Sequence, residues 1–225
     1  MLILALDTTT RALSCAVTRG HVLVHERAGD PARSAAEQLP RLVSELLAEA
    51  GLSGADVEAH AVAAGPGSFT GLRVGIATMQ GLAFAAGTPL VGISALDALA
   101  HVARAQHPGL PVVTWMDAWR GEVYAARYDA GAPPEPIVTS PQAFLAAQPQ
   151  GPACFVGDGA CTYRALIHAE RAATLADPCA PPLAAAVARL AATVLDSGAR
   201  PEPAGITPVY VRRPDAELAR DGRPA

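Results

Sequence analysis

Apolar positions along the chain change spacing several times, and each change marks an element. Leu2 to Leu6 is a continuous apolar run stopped by Asp7-Thr8-Thr9-Thr10. A second strand is expected over Leu13–Thr18. Arg19-Gly20 then turns tightly into a third over His21–Glu26, where apolar and polar residues partly alternate. Over residues 34–50 the spacing becomes helical. Leu39, Leu42, Val43, Leu46, Leu47 and Ala50 form one stripe, Ser34 with Glu37 fits a capping box, and Gly51 fits the stop. Pro40 lies inside this helix, where it removes a backbone bond and leaves the start open. Ala59–Ala63 reads as a fourth strand. It runs into Gly65-Pro66-Gly67-Ser68 and a long helix ending near Ala86. Pro89–Ile93 is a fifth strand and 94–106 a further helix.

His107-Pro108-Gly109-Leu110-Pro111 is a natural joint. It divides the chain into an N-terminal domain, 1–106, and a C-terminal domain, 107–225. The pattern partly repeats after the joint in a shorter and more degenerate form. Val112–Met116 and Glu122–Tyr128 are strands, 129–141 reads as a Pro/Gly/Ala-rich loop, and Cys154–Val156 is a strand ended by Gly157-Asp158-Gly159. A helix follows that turn, and 182–197 is strongly helical. The tail from Ser197 is rich in Pro, Gly and Arg and either ends loosely or packs back.

Composition narrows the function classes. Hydrophobic residues make up 51% of 225, enough for a sizeable core in one large or two small domains. A formal net charge of −4 argues against a chain that grips nucleic acid electrostatically by itself. No apolar run approaches the ~20 residues that span a bilayer. No basic stretch follows Met1 in the manner of a signal peptide, so the expected location is the cytoplasm, without membrane contact. All 17 basic residues are arginine, and asparagine is absent as well. A P-loop lysine, a Schiff-base lysine, a Ser-Lys dyad and a Cys-His-Asn triad are therefore excluded. Cys15, Cys154, Cys161 and Cys179 contain no CxxC pair and are expected to be reduced, packed thiols.

Candidate chemistry is sparse. His21 and His25 have a helical metal-ligand spacing but lie in a predicted strand, where four residues span ~13 Å, so ordinary strand-face histidines are expected. Asp7, Thr8 and Thr9 close a strand in the way that α/β folds hold a metal-phosphate, or else they satisfy loop backbone. Gly65, Gly67 and Ser68 form a tight strand-to-helix turn with anion-binding potential, although the segment is neither a P-loop nor GxGxxG. Asp117, Arg120 and Glu122 gather at one turn beside Trp115 and Trp119, either as a solvated hairpin tip or as part of a site. On the helix after Ser68, Leu72, Ile76, Met79 and Ala83 line one face. Val74, Ala77, Gly81 and Ala85 line roughly the opposite face with small side chains. The small face is expected against a sheet. The large face then meets the stripe of 39–47 or forms a partner surface.

Six segments in order carry a resemblance: LALDTTT, GPGSFTGLRVGI, GLAFAAGTPLVGISALDALA, DAWRGEVYAARY, FVGDGA and PVYVRRPDAE. Together they resemble the bacterial TsaB (YeaZ) family of tRNA threonylcarbamoyladenosine biosynthesis proteins. The resemblance implies an α/β fold of two tandem ribonuclease H-like halves, with mixed sheets flanked by helices, as in actin-like ATPases. It implies a degenerate relative of the catalytic threonylcarbamoyltransferase. That enzyme holds its metal by a His-x-x-x-His motif after the strand that is here Pro89–Ile93. The matching positions are Ala95 and Leu99, which cannot ligate a metal, so no metal site is implied and the chain should not itself perform the transfer. The implied role is an accessory subunit of the complex that installs threonylcarbamoyl on the tRNA adenosine beside the anticodon, where it pairs through its two N-terminal helices with the catalytic (TsaD-type) subunit and stabilises it. A small ATPase (TsaE-type) subunit joins that pair, the chain alone forms a homodimer, and tRNA is met only indirectly. Interface residues are then expected at Leu39, Leu42, Val43, Leu46, Leu72, Ile76, Met79 and Ala83. No cofactor is implied beyond weak ATP or ADP binding at Asp7, Thr8, Thr9, Gly65, Gly67 and Ser68. Many members carry His-Thr or His-Ser near the start of the first helix, where Ser34-Ala35 stands here. The rival reading is an enzyme, either a weak nucleotide-binding ATPase or a metallopeptidase.

Overall fold

The computed structural model describes residues 1–10, 12–129 and 134–212; part of the 129–141 loop and the end of the PVYVRRPDAE segment lie outside them. The first sheet has the order β3-β2-β1-β4-β5, with β1 at Leu2–Asp7, β2 at Ser14–Arg19, β3 at Val22–Ala28, β4 at Ala59–Gly65 and β5 at Leu90–Ser94. β1 runs antiparallel to β2 and parallel to β4, so it is the central strand, buried along its whole length. Its alternation is clear. Leu2, Leu4 and Leu6 face one core, while Ile3 and Ala5 face the other.

The second sheet has the order β10-β9-β6-β7-β8, with β6 at Val112–Asp117, β7 at Val123–Tyr128, β8 at Ile137–Thr139, β9 at Ala153–Val156 and β10 at Ala173–Leu175. Read from its own first strand, this is the topology of the first sheet repeated. The three-residue strands β8 and β10 escape sequence reading because they are too short to show a period.

Helices α1 (Ala35–Glu49) and α2 (Phe69–Ala86) cover the outer face of the first sheet. α4 (Pro141–Ala147), α5 (Asp158–Thr162) and α6 (Arg164–Glu170) belong to the second half and cover the outer core of its sheet. The Ser34–Glu37 capping box does not form, since the Ser34 side chain caps nothing. Gln38 organises this end instead. Its amide accepts from the Asp30 N–H at 2.8 Å and donates to the carbonyls of Asp30 and Arg33. The helix continues through Pro40, which is exposed.

Between the sheets lie α3 (Ala95–Gln106) and α7 (Ala184–Asp196). α3 follows the last strand of the first sheet yet packs on β6 and β9, whereas α7 comes from the second half and lies across the first sheet. Both helices are alanine-rich on their buried sides, so backbones approach closely from two directions. α7 has no side-chain cap of its own. The first sheet supplies one: Ser14 Oγ accepts from the N–H groups of Leu183 and Ala184 at 3.2 and 3.1 Å, and a Glu26 carboxylate oxygen accepts from Ala185 at 2.9 Å.

The tail also returns to the first half. Gln80 Nε2 donates to the carbonyls of Pro203 and Ile206, each at 3.0 Å, and the Val209 N–H donates to the Ala64 carbonyl at 2.7 Å. No helix among the described residues is long and apolar enough to cross a membrane.

Ser14→Ala leaves two buried N–H groups of α7 without acceptors. Urea unfolding is expected to show a loss of about 1–2 kcal/mol, well above the effect of removing an exposed hydroxyl such as Ser44→Ala.

Candidate functional site

Asp7 ends the central strand. By alternation its side chain shares the face of Ile3 and Ala5, which looks toward the second half. Its Oδ1 accepts from Thr9 N–H at 2.9 Å and from Thr9 Oγ1 at 2.6 Å, while Oδ2 is buried without a partner. Burial pushes the Asp7 carboxyl up to about 6, the Thr9 hydrogen bonds oppose that shift, and the charge of Asp158 adds to it. Asp158 Oδ1 accepts from the N–H groups of Asp117 and Gly159 at 3.0 and 2.9 Å, and its carboxyl is also raised by burial.

Thr9, Asp117 and Asp158 line a cleft of about 390 Å³ between the halves, together with Thr10 and Trp119 and with Leu99 and Met116 as apolar wall. Of the residues expected to hold an anion, only Thr9 lines this cleft. Thr8 and Ser68 instead line a neighbouring groove of about 310 Å³. Gly67, Gly71 and Gly75 recur every four residues because the Asp7–Thr9 loop lies directly on them. A Cβ at Gly71 would overlap the Thr8 carbonyl oxygen, and one at Gly75 the Thr8 hydroxyl. Thr8 Oγ1 donates to the Gly71 carbonyl at 2.8 Å, and Ser68 N–H donates to the Thr9 carbonyl at 2.8 Å. Gly65, at φ +122°, is backed by the Val209 carbonyl of the tail. The glycine-rich turn therefore packs closely on the Thr8–Thr9 backbone. No spacing in the sequence pairs Asp117 with Asp158, because only the tertiary structure brings the β6 turn to the Gly157-Asp158-Gly159 turn.

The eight residues expected at a partner interface are corrected by their burial. Leu39, Leu42, Val43, Leu46, Leu72, Ile76, Met79 and Ala83 are all buried inside the monomer. All but Leu72 belong to the outer core that joins α1 and α2 to the sheet. The two faces of α2 are thus placed the other way round: the large side chains meet the protein. Ala77, Gly81 and Ala85 face solvent, beside Phe84, which is 84% exposed. On α1 the outward residues include Pro40, Ser44 and Ala48.

His21 and His25 bond separate carboxylates, Asp196 at 3.1 Å and Glu49 at 2.8 Å. Ala95 and Leu99 are buried on α3. Among the described residues, no three His, Cys, Asp or Glu side chains are placed to hold one metal ion. All four cysteines are free thiols.

A family profile described as TsaD, tRNA N6-adenosine threonylcarbamoyltransferase, matches residues 29–219. The solved structure titled YeaZ from Pseudomonas aeruginosa superposes with a TM-score of 0.76 at 30% identity, over 93% of this chain and 99% of that one. The chain belongs to the TsaB (YeaZ) family. The Escherichia coli tRNA threonylcarbamoyladenosine biosynthesis protein TsaB is 40% identical over 129 residues, 57% of this chain and 55% of that protein. An uncharacterized protein of Mycobacterium tuberculosis is 38% identical over 218 residues, 96% of this chain and 93% of that one. Membership in the TsaB family and the two-fold repeated α/β architecture agree.

The raised Asp7 carboxyl sets a pH dependence. Its folded value, about 6, lies above the unfolded ~3.9, so its contribution is full below the unfolded value and is lost as pH rises through about 6. Asp7→Asn is expected to leave stability near pH 4 unchanged and to raise it by about 2–3 kcal/mol at pH 7. Melting curves across that range check it, and a variant that is less stable at pH 7 contradicts it.

Proposed function

We propose that the chain is a non-catalytic, cytoplasmic subunit of the machinery that makes tRNA threonylcarbamoyladenosine, where it pairs with and stabilises the catalytic TsaD-type subunit. The observation that carries this reading is the outward face of α1 and α2. Ala77, Gly81 and Ala85 present a nearly flat strip beside the exposed Phe84, with Pro40, Ser44 and Ala48 on the adjoining helix. Small residues let another helix pair approach closely, and Phe84 offers an aromatic anchor of the kind that dominates interface energetics. The same face fits a homodimer when the partner is absent, and a TsaE-type ATPase would join the pair. Ala95 and Leu99 support a non-catalytic role, since hydrocarbon stands where the catalytic relative places its metal ligands.

Weak ATP or ADP binding is a second reading, favoured by the unpartnered oxygen of Asp7 beside the cleft. With Asp117 and Asp158 on the cleft wall, a polyphosphate would need an accompanying cation. The metallopeptidase alternative has no ligand set among the described residues.

Gly81→Arg tests the pairing without touching the core, because a Cβ there meets nothing within 4 Å. Light scattering of the chain mixed with the catalytic subunit should show a heterodimer for the parent and free subunits for the variant, with unchanged melting temperature. Met79→Arg, which puts a charge into a fully buried site, should instead unfold the chain. A heterodimer that persists with Gly81→Arg sinks the assignment.

A further inference from the structure

Four aromatic side chains are exposed among the described residues, and three of them, Phe69, Trp119 and Tyr210, gather at the N-terminal end of α2. Direct contacts link Phe69 and Tyr210. The rings of Phe69 and Tyr210 stack at 5.2 Å with 29° between planes. The Arg73 guanidinium lies 3.9 Å from the centre of the Phe69 ring, and its Nε donates to the Tyr210 hydroxyl at 2.9 Å. Two residues along the tail, Arg212 donates to the Ala118 carbonyl at 2.7 Å and pairs with Glu122, which holds the tail against the turn that carries Trp119. Trp119 lines the neighbouring 310 Å³ groove, whose other walls include Ser68 and Thr70 on either side of Phe69 in the chain. Trp119 and Arg120 both sit at φ +56°, so the turn projects the indole out of the hairpin.

Arg73 has no carboxylate partner among the described residues. It is held at the surface by a ring and a phenol. An arginine held over one ring and bonded to the phenol of the ring stacked on it, with a further exposed aromatic beside the adjacent groove, suits a ligand with flat faces and negative charge. Unpaired nucleotides have both, and their bases stack on aromatic side chains with little regard to sequence. A paired helix offers phosphates but no free base faces.

Resting on the tRNA-modification reading above, we propose that this aromatic-arginine rim binds unpaired bases of the tRNA anticodon loop directly. Phe69 and Trp119 act as stacking platforms, and Arg73 contacts the phosphate chain. The contact is local. It adds orientation to a complex whose broad electrostatic hold on tRNA must come from elsewhere, given the net charge of −4 of this chain.

The test titrates a fluorescein-labelled anticodon stem-loop RNA, and a fully paired RNA of equal length, with the complex of this chain and its catalytic subunit, read by fluorescence anisotropy. Phe69→Ala and Trp119→Ala are each expected to weaken stem-loop binding at least about fivefold and to leave the paired RNA unaffected. Phe69→Trp should retain binding, and Arg73→Ala should lower the salt slope by about one. Unchanged stem-loop affinity in both alanine variants overturns the proposal, as does an equal loss on the paired RNA. Light scattering of the same samples separates the remaining outcomes. If the variants no longer enter the complex, the rim is a protein interface and the proposal falls. If the parent chain forms no complex, the pairing function fails, and the same titration on the chain alone still decides the rim: binding lost in the variants supports it, and no binding by the parent overturns it.

Discussion

The molecule depends on how α7 is anchored. A helix with no cap of its own leaves its first N–H groups unsatisfied. Here Ser14 and Glu26, on strands of the other half, accept those bonds. The same contact places the helix across the first sheet, so a segment more than a hundred residues away in sequence completes the core around β1. α3 makes the reciprocal crossing. Each half therefore lacks one helix of its own cover and receives the other's. The alanines of both helices are the condition for this arrangement, because bulkier side chains could not be buried between two sheets at such close approach.

That crossing also shapes the cleft. Because the halves are locked through shared helices, the ends of β1 and β6 face each other across a fixed gap, and the carboxylates of Asp7, Asp117 and Asp158 are brought into one neighbourhood. Asp7 is the most constrained of them. One oxygen is satisfied by Thr9, the other has no partner, and burial holds the proton on to about pH 6. The glycine turn next to it is consumed by packing. Gly71 and Gly75 let the Thr8 backbone and hydroxyl close on α2.

Function is left to the outer surfaces. α2 turns its large residues inward and its small ones out, and this gives the strip proposed to receive the catalytic subunit. At its first turn, Phe69 and Arg73 meet the returning tail and form the rim proposed to meet RNA. One helix thus connects a buried core, a flat partner face and an aromatic edge.

The sequence by itself determined the α/β class, the strands β1 to β7 and β9 within a few residues, the long helices, and the every-fourth glycine pattern of α2. Those features are local: a period of two or of 3.6, a cap, or a glycine repeat can be read without knowing neighbours. Only the tertiary structure decided which face of α2 points inward, since two apolar faces look alike until a sheet is placed beside one of them. It also decided that α3 and α7 exchange sheets, that Thr8 fills the glycine turn, and that Asp7 and Asp158 share a neighbourhood. In each case the deciding contact joins residues far apart in the chain, and no local pattern encodes such a meeting.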